Sequence, residues 1–135
     1  MIRLWFLALV IFFAVPLTGS WATAVPCPPT GNNMVCQITM NTAAVTNSDT
    51  YVTYAWNSAM TGTKSLTITP TCNSSTLNFI VKDEIGTAGT YPILVYPTIG
   101  NTIENTYTAT TPFALNSNFE SITFLCDGAG NWIVE

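Results

Sequence analysis

The sequence predicts an all-β domain of short antiparallel strands, arranged as a sandwich or as a β-prism or β-helix-like module and preceded by an N-terminal hydrophobic signal helix. Three observations lead there. Thr, Ser and Asn supply 40 of the 111 residues after position 24, and threonine alone supplies 21, a composition that suits pleated strands with a polar outer face and serves helices poorly. Polar and apolar residues alternate at period two over several short stretches. Those stretches recur about every ten residues between turn-forming clusters, the rhythm of an all-β chain.

The chain opens on Met1-Ile2-Arg3, continues through an uncharged apolar run over 4–17 and ends this segment with small residues at Ala22-Thr23-Ala24. These are the three parts of a secretory signal peptide. The run is shorter than the roughly 20 residues that span a bilayer, and Pro16 interrupts it. Residues 1–24 are therefore expected to be a cleaved signal peptide, with a membrane tether through 4–17 as the alternative. Residues 25–48 form a Pro-rich leader and first strand, and 49–135 form the main β module. Pro26, Pro28 and Pro29 remove amide donors and keep the leader extended.

Strands are expected over 35–40, 50–56 and 64–69, where the period-two pattern is clearest. Val52, Tyr54 and Trp56 share one face, as do Leu66 and Ile68. Residues 77–81 are more continuously apolar and read as a buried strand, with Lys82-Asp83-Glu84 as its exit to solvent. Further short strands follow at 92–96, 101–103, 106–108, 113–115 and 121–126. In the last, Ile122, Phe124 and Cys126 share a face. Residues 127–131 (Asp-Gly-Ala-Gly-Asn) form a hairpin loop that returns the chain into Trp132-Ile133-Val134, with Trp132 as a packing anchor.

The four cysteines, Cys27, Cys36, Cys72 and Cys126, all follow the signal segment. An even count in an exported chain points to two disulfides. Three connectivities exist; Cys27 with Cys36 and Cys72 with Cys126 is the favoured one. The chain holds no histidine, which excludes a Ser-His-Asp triad and a Cys-His dyad and removes the commonest zinc-site arrangements, and without a Cys-x-x-Cys pair the four cysteines point to disulfides rather than to a metal. No metal or other cofactor is expected. After residue 24, two lysines stand against seven carboxylates, a net charge of −5. Nucleic acid is not an expected partner, because phosphate binding needs a basic patch.

Adjacent Asp83 and Glu84 point to opposite faces of a strand and do not converge on one bond, which argues against an exported hydrolase built on them. Asp127 is read as a turn residue bonding its own backbone rather than as a calcium ligand, since its loop offers few side-chain oxygens. Tyr51, Tyr54 and Trp56 are the candidate ligand-contact aromatics, offering flat faces for sugar rings among Asn and Thr hydrogen-bonding groups; core or subunit-interface packing is the competing role for such residues.

A set of motifs runs through the module in order. Asp49, Tyr51 and Val52 open it, and Lys64 leads into the Leu66/Ile68 strand. An apolar strand ends in Val81-Lys82-Asp83 and reaches Gly86. An Ala-Gly-Thr turn precedes Pro92-Ile93, then Gly-Asn-Thr-Ile at 100–103 and Tyr107. Phe119, Ser121, Thr123, Asp127, Gly128, Asn131 and Trp132 close it. In this order and spacing, residues 49–134 resemble the C-terminal β-structured module of bacteriophage tail-fibre and other virion surface structural proteins. The resemblance implies a β-rich fold, often trimeric, with a structural or host-contacting role and no catalysis by the module. It carries over no active-site residue. The expected function is thus a non-enzymatic virion or surface structural protein of tail-fibre or capsid-decoration type. The alternative is a secreted or periplasmic bacterial adhesion or carbohydrate-binding module. Expected partners are further copies of the chain, other virion proteins or a surface glycan, with the membrane a partner only if the N-terminal helix is retained. The expected location is outside the cytoplasm, on a virion surface, in the periplasm or extracellular.

Overall fold

The computed structural model describes residues 35–46, 52–56 and 61–135, and among them lie strands and no helix. The expected signal peptide, Cys27 and Tyr51 lie outside the described residues. In chain order the strands are β1 (Val35–Ile38), β2 (Thr42–Val45), β3 (Val52–Trp56), β4 (Lys64–Ile68), β5 (Asn78–Asp83), β6 (Ile93–Tyr96), β7 (Thr102–Ile103), β8 (Phe113–Leu115), β9 (Ser121–Cys126) and β10 (Asn131–Val134).

The chain visits two sheets in alternation. β1, β3 and β5 lie side by side in one sheet and β2, β4 and β6 in the other, and each neighbouring pair is parallel. The result is three turns of a flattened, β-solenoid-like coil. The last four strands then close it. β8 runs antiparallel along β6, β9 antiparallel along β5, β10 antiparallel along β9, and β7 parallel along β10. The outer edges of the third turn are thereby paired, as terminal repeats cap a solenoid.

All-β architecture and most strand positions match the sequence reading, but strand direction does not. Antiparallel pairing is confined to the closing strands, because period-two alternation is the same for either direction. Direction is set by the connections: those joining β1 through β6 cross from one sheet to the other instead of folding back as hairpins. β2 was also not expected. Its sequence, Thr-Ala-Ala-Val, shows little polar contrast, although Ala43 and Val45 are buried.

Inward side chains stack in rows along the coil. Ile38, Trp56 and Asp83 are register partners, as are Cys36, Tyr54, Val81 and Ile122, and then Val52, Phe79, Phe124 and Val134. The facing sheet contributes Ala43, Leu66, Val95 and Phe113 in one row and Lys64, Ile93 and Leu115 in another. Phe79 stacks on Phe124 at 5.0 Å and meets Trp132 edge-on at 5.3 Å. Phe113 contacts Phe124 across the sheets at 5.7 Å. Each fully buried side chain of this size contributes about 1.5–3 kcal/mol through area removed from water.

Cys72 and Cys126 form a disulfide with Cα atoms 5.3 Å apart. It ties the segment leaving β4 to the end of β9. Around it the Cys72 N–H donates to Asn101 Oδ1 at 2.9 Å and Gly130 N–H donates to the Cys72 carbonyl at 2.8 Å. Cys36 is disulfide-bonded as well.

Candidate functional site

Two inward positions carry charge. Lys64 shares its face with Leu66 and Ile68, and Asp83 shares its face with Phe79 and Val81, so the strand period carries both side chains into the interior. Both are fully buried and their charged ends stand 3.4 Å apart, joining the two sheets. Asp83 is therefore not at a solvated strand exit. Its neighbours Lys82 and Glu84 turn outward, where they meet at 3.5 Å.

The pair is well supplied with hydrogen bonds. Lys64 Nζ donates to Thr87 Oγ1 at 2.7 Å. Asp83 Oδ2 accepts the N–H of Ala88 at 2.8 Å and that of Phe119 at 3.4 Å. Burial pushes the Asp83 carboxyl up, but the Ala88 N–H, the Lys64 charge and the Phe119 N–H outweigh it and hold the group below its ordinary range. An ionised carboxylate enclosed in this way is held by what surrounds it and is not placed to exchange protons with a substrate.

Asp83 also organises two loops. Residues 84–90 wrap its carboxylate through Ala88, and 116–120 reach it through Phe119. The Asp83 N–H donates to the Glu120 carbonyl at 2.9 Å. Glu120 Oε2 accepts the N–H groups of Asn116 at 2.9 Å and Ser117 at 3.0 Å. Asn118 Oδ1 accepts the N–H of Gly89 at 2.8 Å, joining one loop to the other.

At the centre of this arrangement Phe119 is 68% exposed and has φ of 62°. That left-handed backbone costs a side chain such as phenylalanine about 1–2 kcal/mol. Its ring lies over Gly86, where a Cβ would collide with Cζ, Cε1 and Cε2 of the ring, and Gly86 itself has φ of 75°. The positive φ favours glycine there, and the missing Cβ leaves room for the ring.

Of the candidate contact aromatics, Tyr54 and Trp56 are fully buried. Trp56 Nε1 donates to the Met40 carbonyl at 3.0 Å. They belong to the core because positions 52, 54 and 56 face the second sheet, so they present no face to a ligand. Trp132 is likewise core, at 1% exposure. Asp127 behaves as a turn residue: Oδ1 accepts the N–H of Ala129 at 2.7 Å and of Asn131 at 3.1 Å. Those two bonds hold its carboxyl below the ordinary range. Cys72, Cys126 and Asp127 lie close together, but with the two sulfurs bonded to each other no thiolate remains to ligate a metal.

The sequence offered one usable signal for the buried pair, the parity of Lys64 with Leu66 and of Asp83 with Val81. Phe119 carried none, because its exposure and backbone depend on contacts with Gly86 and Asp83 that are distant in sequence. No protein-family model matches the chain, and no curated protein matches it.

Proposed function

We propose that the chain is a non-enzymatic surface structural protein of the phage tail-fibre type, acting through assembly and through contact with a host surface. The observation that carries this reading is the three-turn parallel coil closed at one end by antiparallel strands. Such a body is a rigid support that presents loops, and its interior charge is spent on an enclosed strut. The resemblance of residues 49–134 to virion surface modules and the scarcity of charge both support it. The buried disulfide fits an oxidising compartment outside the cytoplasm. A threonine-rich β surface with few charges also offers little resistance to pairing between copies.

Sedimentation equilibrium on the exported protein tests the assembly part. A homo-oligomer, with a trimer as the expected species, supports the reading; a monomer across the whole accessible concentration range contradicts it.

A second reading, an exported adhesion or carbohydrate-binding module, is favoured by one specific observation: an exposed aromatic ring on a hydrogen-bonded loop, at Phe119.

A further inference from the structure

We propose that Phe119 is the contact platform of a binding site for neutral saccharides, formed by residues 116–120 and 84–90. The proposal rests on the surface-contact reading above and names the residue and ligand chemistry of that contact.

Among the described residues Phe119 is the aromatic that stands exposed, at 68%, while Tyr54, Trp56, Phe79, Phe124 and Trp132 are buried. The ring is held in position. The backbone of Phe119 is fixed in the left-handed region, its N–H bonds to the buried Asp83, and the carboxylate of Glu120 gathers the preceding amides. One ring face rests against Gly86. Backbone strain kept on an exposed apolar residue does nothing for the stability of the domain, and such strain gathers where geometry serves binding. A ring fixed before binding also loses little freedom when a ligand arrives.

The surroundings select the ligand. Asn116, Ser117 and Asn118 are exposed beside the ring in sequence, and Gly89 and Thr90 are exposed on the facing loop. The bond from Gly89 to Asn118 uses the acceptor end of that amide, which leaves its NH2 group outside that bond. The charges close by are already engaged, Asp83 with Lys64, Glu120 with backbone amides and Glu84 with Lys82. A flat apolar face among amides and hydroxyls, with Lys82 paired to Glu84, fits the C–H face and hydroxyls of an uncharged sugar. A protein partner calls for a larger contiguous apolar patch, and among the described residues of these two loops the other exposed large apolar side chain is Ile85, at 37%.

The test applies the full exported protein, disulfides intact, to a printed array of neutral and acidic glycans and to intact bacterial cells. Phe119→Gly and Phe119→Trp are run beside it. Glycine suits the backbone of position 119, so Phe119→Gly should keep its melting temperature while removing only the ring. The expected result is binding to neutral glycans that falls about tenfold or more in Phe119→Gly and persists in Phe119→Trp. If Phe119→Gly does not fold, Phe119→Leu makes the same comparison with an apolar side chain that has no flat face. Undiminished binding by the folded ring-less variant would overturn the proposal, as would binding confined to acidic glycans. Adhesion to cells without any neutral-glycan binding would overturn it too, yet leave the surface-contact reading standing. Absence of adhesion to cells as well would remove both.

Discussion

Lys64 and Asp83 carry opposite charges into an interior whose other buried polar side chains, among the described residues, are Asn101 and Asn131. A buried pair of this kind gives modest net stability, but removing one partner leaves an uncompensated charge and costs about 3–5 kcal/mol. Asp83→Ala should show that full loss in urea unfolding, because it strands Lys64 and also orphans the N–H groups of Ala88 and Phe119. Lys64→Met should cost less, since Asp83 keeps both amide donors. The reverse order would contradict the assignment of Asp83 as the hub. The carboxyl of Asp83 titrates below its ordinary value when folded, so the stability it contributes is fully present above the unfolded carboxylate pKa of about 3.9 and is lost as pH falls through the folded value. Acid unfolding of the wild type should therefore steepen below about pH 4, and Asp83→Asn should flatten that limb; a stability curve for Asp83→Asn parallel to wild type in this range would refute the linkage. The charges of both residues obscured a placement that strand parity alone would have given. Phe119 was beyond any local pattern, because its strained backbone is imposed by Gly86 and Asp83 from other parts of the chain.

At the scale of elements, alternation located β3, β4 and β9 and grouped the residues that share a face, while a continuous apolar run located β5 and the turn-bounded strand rhythm located β6. Val52, Tyr54 and Trp56 do share one face, and so do Ile122, Phe124 and Cys126. What alternation does not encode is the partner of each strand. The hairpin joining β9 to β10 was legible because Asp127, Gly128 and Gly130 form a local turn with its own hydrogen bonds. The parallel pairing of β3 with β5 is not local: it depends on a connection that passes through the other sheet. The same long-range character gives the Cys72–Cys126 bond its leverage, since it closes a loop with a sequence separation of 54. Replacing both residues by alanine should lower stability by about 2–5 kcal/mol, read as a fall in melting temperature under non-reducing conditions. A double variant melting with the wild type would mean that the closing strands hold the coil without this brace. Hydrogen exchange should be slowest in β5, which is paired on both sides by β3 and β9, and faster in β1 and β2, the end strands of their sheets. Uniform exchange across these strands would contradict the register described.

The described residues form a short coil with few charges and dissimilar ends. One end is closed by β7 to β10 and braced by a disulfide. At the other, β1 and β2 end the two sheets among the described residues, and Val35 is 54% exposed. Composition foretold the polar, threonine-rich exterior, because such residues are the only way for a chain so poor in charge to face water. It did not foretell the coil, whose ends differ only once the strands are assembled. A body of this kind is suited to joining copies or other proteins and to presenting the Phe119 loops. On the proposed function, its place of work is the surface of a particle or cell. The most direct measurement is immunogold labelling of intact, unlysed particles and cells with an antibody raised against residues 61–135. Decoration of their outer surface is the predicted result; labelling that appears only after lysis, with the protein confined to the cell interior, would contradict it.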